Sequence, residues 1–332
     1  MTTPPTMTAL TSDRLGPPES YGLHDVPVPE PGEGQVRLRV EAVALGYVDA
    51  LIANGQYQHK PAAPYVPGAE IVGIVDALGS GVDGLAIGDR RASWQVLAGG
   101  GLARFVLART ESLVPVPERL TPVAAASLLL DHLTAWYALF DRGWMQPGET
   151  VLVLGAAGGV GAAAVQIASR AGARVIAAAS SPEKRARALT LGAEAAVDYQ
   201  APDWRDEIKR LTDGAGVDIV VDPVAGATFE PAFRSLAKGG RHLILGFAGG
   251  EIPRLPANLP LLKNGALIGV DARHLYESDL PRAMEIWDTL FELAAEGMLT
   301  APDADIHPLD AAPAAFTALT RRDKPRKIVV TP

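Results

Sequence analysis

Hydrophobic runs in about the first 125 residues are short and lie between turns rich in glycine and proline. The turns include PEPGEG and GSGVDG, and the runs contain many β-branched residues, which is typical of short β-strands. This part of the chain is therefore predicted to be β-rich and partly barrel-like. The predicted strands are VRLRVEAVAL, EIVGIVDALG, ARFVLA and ESLVPVP.

From about residue 150, hydrophobic runs alternate with segments of helical period. This alternation predicts an α/β fold with a doubly wound parallel sheet. An amphipathic helix is predicted at about Leu280–Glu296. The final run, RKIVVTP, has no partner among the strands of the second half and is predicted to return to the N-terminal part. The predicted strands of the sheet are VLVLG, ARVIAAA, AEAAVDY, VDIVVDPV, RHLILGF and ALIGVD.

A glycine-rich turn joins the first of these strands, Val151–Leu154, to a helix of small residues predicted at Gly161–Ala171. A second strand, Arg174–Ala179, follows. This is the order of a dinucleotide-binding βαβ unit, in which glycines let a pyrophosphate approach the backbone and the helix N-terminus attracts it. The G-x-G-x-x-G pattern has Ala156 at its first position. The predicted pyrophosphate-binding residues are Gly155, Ala156, Gly158, Gly159, Val160 and Gly161.

The residues after the second strand favour NADPH over NADH. A carboxylate at this place binds the ribose 2′-hydroxyl and repels a 2′-phosphate, whereas this chain has Ser180 and Ser181 there, with Lys184 one turn on. A plainer interpretation competes with phosphate binding: Lys184, Arg185 and Arg187 would then form only a solvated helix face.

Composition and charge exclude several function classes. The 332 residues suffice for two domains, and the formal net charge of −8 gives no reason to bind nucleic acid or an anionic membrane. The chain has no cysteine, which excludes disulfides, thiolate nucleophiles and zinc sites with sulfur ligands. The N-terminal MTTPPTMTALTSDR does not have the pattern of a secretory signal, so a cytoplasmic protein is expected. The uncharged run Thr150–Ser169 is as long as a membrane span, but its four glycines favour a buried strand, turn and helix.

Segments from most of the chain resemble the medium-chain dehydrogenase/reductase superfamily, and within it the zinc-free NADPH:quinone oxidoreductases (the zeta-crystallin-like family) and the related enoyl reductases. The resemblance implies a GroES-like substrate domain of residues 1–128 and 272–332, and a Rossmann NADPH-binding domain of residues 129–271. It also implies a homodimer in which strand Ala266–Asp271 pairs across a two-fold axis. The segments are PVPEPGEGQVRLRVEAVALGYVDALIANGQY, PYVPGAEIVGIVDALGSGVDGLAIGDR, LTAWYAL, AAGGVG, SSPEKR, VDIVVDPVAG and LLKNGALIGVD.

The resemblance also indicates where zinc-dependent relatives carry a cysteine and a histidine. Here these places hold Gly46 and Ala69, neither of which can bind a metal. The resemblance then implies hydride transfer from NADPH to a small molecule that is already electrophilic, a quinone or an α,β-unsaturated carbonyl. Gly46 also replaces the asparagine that quinone reductases usually carry before the aromatic residue, here Tyr47.

On the substrate side, the resemblance suggests Tyr57 as a proton donor, because a neutral phenol donates to an oxygen that gains charge. Tyr47 could use the space left by the missing amide, and Thr134 matches a hydroxyl that faces the nicotinamide. Structural alternatives are a half-buried loop aromatic for Tyr57, a core aromatic for Tyr47, and a bond to its own helical turn for Thr134. Asp49 is predicted to cap a helix of residues 50–54.

Three further residues are grouped with the cofactor site by the resemblance. Tyr199 and Arg322 match positions that contact the adenosine 2′-phosphate in the quinone reductases, although RRDKPRK offers five cations among which the alignment at Arg322 can slip. Phe247, at the end of the run RHLILGF, is the third.

Two polar pairs stand where relatives are commonly plainer: Asp131 with His132, and Arg273 with His274. The resemblance brings both segments toward the cofactor, so one or more of the four is expected to shape substrate choice, and His132 is a candidate catalytic residue. The alternative is a surface histidine on each segment and a rim arginine.

Three functions stay open at this point. The first is a zinc-independent, NADPH-dependent quinone or enone reductase. The second is an enoyl-thioester reductase of the same superfamily, and the third is a non-catalytic NADPH-binding protein with a structural or sensory role.

Overall fold

The computed structural model describes residues 5–320 and 326–332. By its internal contacts the chain divides into two compact units. The first unit is Met1–Leu130 with Glu277–Pro332, and the second is Asp131–Tyr276.

The strands in chain order are β1 (Thr6–Thr11), β2 (Gly22–Pro27), β3 (Gln35–Leu45), β4 (Glu70–Leu78), β5 (Arg90–Trp94), β6 (Phe105–Arg109), β7 (Val114–Pro115), β8 (Thr150–Leu154), β9 (Arg174–Ala178), β10 (Ala195–Val197), β11 (Val217–Asp222), β12 (Leu236–Ile244), β13 (Ala266–Gly269), β14 (Ala304–Pro308) and β15 (Lys327–Thr331).

The α-helices in chain order are α1 (Tyr47–Ala53), α2 (Pro122–Trp136), α3 (Gly159–Arg170), α4 (Pro182–Thr190), α5 (Trp204–Leu211), α6 (Phe229–Arg234), α7 (Asn258–Lys263), α8 (Ala272–Ser278), α9 (Leu280–Ala295) and α10 (Ala312–Thr317). The predicted amphipathic helix near the C-terminus is confirmed as α9.

The first unit is built around the long strand β3, which pairs antiparallel with β4, β6 and β15. Its main sheet has the order β14-β15-β3-β4-β5-β7, with β6 beside β3, and β1 and β2 form a separate pair. Ile328 on β15 lies opposite Leu45 on β3. This pairing confirms the predicted return of the C-terminal run to the N-terminal part.

One predicted strand of this unit is mostly wrong. In the run ESLVPVP only Val114–Pro115 pairs, with Arg91 and Ala92 of β5, and a short helical turn, Thr110–Ser112, precedes it. The reason is that Pro115 and Pro117 have no N–H to donate to a sheet, which confines the run to a short edge strand. The sequence does not predict strand β5, because its two arginines interrupt the alternation of apolar and polar residues that is typical of a strand.

The second unit contains a six-stranded sheet of order β10-β9-β8-β11-β12-β13, in which each pair is parallel. This confirms the predicted doubly wound sheet. The strand order reverses between β8 and β11, and in such folds ligands bind at the carboxyl ends of the strands at that point. The hydrophobic core of this unit includes the buried residues Leu152, Ile176, Val220 and Phe233.

Helix α2 continues through a π-helical turn, Tyr137–Arg142, to make a helical span of 21 residues that is long and apolar enough to cross a membrane. However, 61% of this span is buried inside the protein, and the core helix of a soluble protein has the same length and composition. Within the first unit, Trp287 Nε1 on α9 donates a hydrogen bond to the Leu129 carbonyl of α2 over 2.7 Å.

The run Thr150–Ser169 is β8, a turn and most of α3, as predicted.

Candidate active site

The glycine turn after β8 ends in an exposed helix N-terminus. Gly155 has a φ of +59°, and the Gly158 N–H donates to the Gly155 carbonyl over 2.8 Å. Gly158 is the N-cap of α3, with extended backbone, and Gly158 and Gly159 are both exposed. Because Gly158 has no side chain, the N-cap residue itself supplies no acceptor for the first N–H groups of α3, and an anion from elsewhere can bind there.

The glycines of the turn differ in the atoms that an added Cβ would meet. A Cβ on Gly161 would lie 2.8 Å from the Gly155 carbonyl carbon and 3.0 Å from the Ala156 Cα, so Gly161 lets the helix pack against the turn. A Cβ on Gly158 would meet only the Gly155 carbonyl oxygen, at 3.3 Å. Ala156 itself is fully buried, and its N–H donates to the Ala178 carbonyl over 3.2 Å. The bare backbone at Gly158 therefore leaves room for a ligand rather than for packing.

A buried carboxylate shapes the neighbouring turn, which follows β11. The Asp222 Oδ1 accepts from the N–H groups of Val224 at 2.9 Å and Ala225 at 2.7 Å, and its Oδ2 lies 2.9 Å from His242 Nε2. Ala225 has a φ of +54°, so these bonds hold a strained backbone. The sequence reasoning missed Asp222 and His242. The signal was present in VVDPV, where an acid ends a buried strand.

The end of β9 presents a cation beside two serines. The Ser181 side chain accepts from the Lys184 N–H over 3.3 Å and caps α4, while the side chain of Lys184 is exposed. Arg185 instead binds Asp198, at 2.9 Å, and the Ala179 carbonyl. Lys184 is thus the cation best placed to meet a ligand phosphate, because Arg185 is already neutralised.

The remaining predicted cofactor residues fall in two places. Tyr199 follows β10 and packs, partly buried, against the core of the second unit. Phe247 follows β12 and is exposed. Both strands end at the same edge of the parallel sheet as the glycine turn. Arg322 lies outside the described residues.

Asp49 lies buried in the first unit, and its predicted capping role is wrong in register. Helix α1 begins at Tyr47 rather than residue 50, so Asp49 is in its first turn. Its carboxylate accepts from the Gly46 N–H at 2.8 Å and the Ala69 N–H at 3.1 Å. Burial raises the pKa of the Asp49 carboxyl above its ordinary value, while these N–H donors and the Lys327 ammonium oppose the rise.

A buried ion pair lies beside Gly46, one of the two positions that the resemblance aligns with zinc ligands. Lys327 Nζ lies 2.8 Å from Glu70 Oε1, with both side chains buried, and Glu70 Oε2 accepts from the Leu130 N–H over 3.0 Å. A Cβ on Gly46 would be 3.6 Å from Glu70 Oε1. Among the described residues, no group of three His, Cys, Asp or Glu side chains is arranged to hold a metal ion. Gly46 and Ala69 carry no side-chain donor, so the residues at these two positions do not fit a zinc ion.

The four candidate catalytic residues are divided between the units. In the first unit, Tyr47 opens α1 and is 56% exposed, and Tyr57 is half-buried in the loop after α1. In the second unit, His132 and Thr134 lie buried on α2, at 1% and 7% exposure. Their roles stay predictions.

Arg273 and His274, the second of the unusual pairs, lie in the first turn of α8. The Asp271 Oδ1 accepts from the Arg273 N–H at 2.9 Å and from the His274 N–H at 3.4 Å, which is the bonding of a helix N-cap. The position of both residues is thus set by Asp271.

Comparisons with known proteins agree with this architecture. Family models for an alcohol dehydrogenase GroES-like domain and for a zinc-binding dehydrogenase match residues 32–118 and 159–289. A quinone oxidoreductase-like protein 2 homolog of Nematostella vectensis is 36% identical over 307 residues, which are 90% of this chain and 82% of the relative.

Two solved structures are similar over almost the whole chain. The quinone oxidoreductase of Pseudomonas syringae pv. Tomato DC3000 has a TM-score of 0.90 at 29% identity, covering 98% of this chain and 100% of its own. A mycobacterial protein complexed with NADPH has a TM-score of 0.88 at 31% identity, with the same coverage of 98% and 100%. The chain belongs to the medium-chain dehydrogenase/reductase superfamily, and within it to the quinone oxidoreductases, as its motifs predicted. It is an oxidoreductase with Rossmann and GroES-like domains.

Proposed function

We propose that the protein is a zinc-independent reductase that uses NADPH to reduce a quinone or an α,β-unsaturated carbonyl. The observation that carries the proposal is the glycine-rich N-terminus of α3, which has no cap from the side chain of its own N-cap residue and lies at the point where the strand order of the parallel sheet reverses. The serines and the exposed Lys184 after β9 favour NADPH over NADH. The mycobacterial relative, solved with NADPH, agrees with this choice.

The chain's own residues would hold the cofactor along one sheet edge. The backbone at Gly158 and Gly159 would bind the pyrophosphate, and Ser180, Ser181 and Lys184 would bind the adenosine 2′-phosphate. Tyr199 and Phe247 are proposed to contact the cofactor as well. When bound, the reduced nicotinamide supplies the hydride.

The remaining chemistry concerns the proton and the substrate oxygen. We propose that Tyr57 donates a proton or a hydrogen bond to the oxygen that gains charge as the hydride arrives at the substrate. A phenol whose ordinary pKa is about 10 stays protonated at neutral pH and is suited to this role. Tyr47, Thr134 and His132 are further candidates for contact with the substrate or the nicotinamide.

Steady-state oxidation of NADPH, followed at its absorbance band with a panel of quinones, enones and enoyl thioesters, tests the function. Turnover with quinones or enones supports the proposal, and preferential turnover of enoyl thioesters supports the second function. Tight NADPH binding without turnover of any substrate indicates a non-catalytic binding protein. Failure to bind either dinucleotide would refute all three.

Replacement of Lys184 tests the cofactor choice. Lys184→Asp is expected to weaken NADPH binding by roughly 30-fold and NADH binding by less than about threefold, because only NADPH carries the 2′-phosphate. Dissociation constants from quenching of tryptophan fluorescence give the comparison. Lys238→Asp makes the same charge change at an exposed site at the start of β12 and should alter neither value. Equal weakening of NADPH and NADH by Lys184→Asp would contradict the assignment.

Replacement of Tyr57 tests the proton donor. Tyr57→Phe is expected to lower kcat for an enone by about tenfold to a hundredfold, since it removes only the hydroxyl, and to leave the Kd for NADPH unchanged. Tyr47→Phe removes the hydroxyl of the other candidate tyrosine of the same unit, and it should change kcat by less than about threefold if Tyr57 is the proton donor. A normal kcat for Tyr57→Phe would return Tyr57 to a structural role.

A homodimer is also proposed. Strand β13 is at the edge of its sheet, and an unpaired edge is suited to pairing across a two-fold axis. Leu261 and Leu262 on α7 and Leu267 on β13 are exposed apolar residues of the same unit. Sedimentation equilibrium measures the oligomeric state, and a mass of one chain at micromolar concentration would contradict the dimer. A cytoplasmic location and a small-molecule substrate as the other partner remain proposals from the sequence.

A further inference from the structure

The carboxylate of Asp131 lies against the first residue of α3. A Cβ on Gly159 would be 2.6 Å from the Asp131 carboxyl carbon and 2.8 Å from its Oδ1, closer than any side chain allows. Asp131 is carried by α2 and belongs, with Gly159, to the second unit. The missing side chain at residue 159 therefore leaves space that this carboxylate occupies.

The Asp131 carboxylate lies beside the first residue of α3, the helix whose N-terminus is proposed above to bind the pyrophosphate. The N-terminus of a helix attracts an anion through its free N–H groups and the positive end of the helix dipole, and a carboxylate is such an anion. Gly158, the N-cap residue, has no side chain of its own to serve as acceptor. Asp131 thus brings a negative charge from a different helix close to this N-terminus, where a ligand anion would also bind.

A bound pyrophosphate and the Asp131 carboxylate would repel each other at this short range. Like charges a few ångströms apart repel each other strongly where water is partly excluded, so the Asp131 side chain would have to move away from the bound pyrophosphate. Asp131 is half-buried, so its carboxylate is partly accessible to solvent and to a ligand. Its displacement then opposes part of the binding free energy of the dinucleotide.

We propose that Asp131 sets the affinity of the cofactor site for dinucleotides: its carboxylate lies at the N-terminus of α3 in the free protein and lowers the affinity for NADPH and NADH by competing with their pyrophosphate. The inference rests on the proposed function, because it assumes that the dinucleotide binds at α3. It assigns to Asp131 a role toward the cofactor rather than the substrate, which differs from the expectation drawn from the sequence.

Removal of the charge tests the proposal without any turnover. Asp131→Asn keeps the shape of the side chain and is expected to tighten NADPH and NADH binding alike, each by about tenfold, because both carry the pyrophosphate. Binding of adenosine 2′,5′-bisphosphate, which has no pyrophosphate, should stay within about twofold of the wild type. Isothermal titration calorimetry or tryptophan fluorescence gives all three constants.

Asp213→Asn is the matched control, since it removes one negative charge from an exposed loop of the same unit after α5. It should change none of the constants. An unchanged Kd for NADPH in Asp131→Asn would overturn the inference alone, with the cofactor site intact. Weaker NADPH binding would also overturn it, because the carboxylate would then hold a donor of the cofactor. No dinucleotide binding by either protein would overturn both the inference and the proposed function.

Discussion

Gly161→Ala is expected to lower the free energy of unfolding by about 3 kcal/mol, the largest effect of any single methyl group added to the glycine turn. The added Cβ would lie 2.8 Å from the Gly155 carbonyl carbon and 3.0 Å from the Ala156 Cα. Both are backbone atoms, and Ala156 is fully buried and hydrogen-bonded to Ala178, so neither can move aside without loosening β8 from β9. Urea unfolding followed by far-ultraviolet circular dichroism measures the loss.

Gly158→Ala is the matched variant and separates folding from binding. Its Cβ would meet only one atom, at 3.3 Å, and the backbone φ at this residue is −79°, which alanine adopts without strain. We expect its free energy of unfolding to stay within about 0.5 kcal/mol of the wild type. Its NADPH affinity should fall by at least about tenfold, because the methyl group stands where the pyrophosphate approaches. Equal stability of the two variants would contradict the packing role of Gly161.

The parallel sheet and its glycine turn could be predicted because both depend on local sequence. Strand β8, the turn and α3 are continuous in the chain, so the apolar period and the glycine spacing report them directly. The end of β9 is also read locally, because Ser181 and Lys184 are three residues apart on one helical turn. These are the residues on which the proposed preference for NADPH rests.

The contacts between distant residues could not be predicted in the same way. Glu70 and Lys327 are 257 residues apart, and Lys327 had the appearance of one cation in a basic tail. Asp131 and Gly159 are 28 residues apart in the chain and meet in the second unit. A sequence pattern gives the direction of a side chain within its own element. It does not give the partner on another element, so charge compensation across the fold becomes visible only in the structure.

Lys327→Met is expected to lower the free energy of unfolding by about 3–5 kcal/mol, because it leaves buried acids without their cation. Lys327 and Glu70 are 8% and 1% exposed in their side chains and 2.8 Å apart, so water cannot replace the ammonium. Asp49, also buried, loses a charge that favours its ionised form. Methionine keeps most of the volume of the lysine stem, so the loss reports charge rather than a cavity.

The loss of unfolding free energy in Lys327→Met should also depend on pH, and the protonation of Asp49 determines the direction of that dependence. Burial already raises the pKa of the Asp49 carboxyl in the folded protein, and removal of Lys327 raises it further. In the folded state Asp49 then keeps its proton at pH values where the unfolded chain has lost it, so stability falls as pH rises through that window. Urea midpoints at about pH 5 and pH 8 should therefore show a smaller deficit at the lower pH.

Two further variants make the interpretation of Lys327→Met decisive. Lys238→Met removes an exposed lysine and should change the free energy of unfolding by no more than about 0.5 kcal/mol. The double variant Lys327→Met with Glu70→Gln removes both charges of the pair and should recover a substantial part of the loss, as expected when the cost lies in an uncompensated buried charge. A deficit below about 1 kcal/mol, or no recovery in the double variant, would show that Lys327 does not stabilise the first unit through its charge. In that case the ion pair beside Gly46 would have no measurable role in stability.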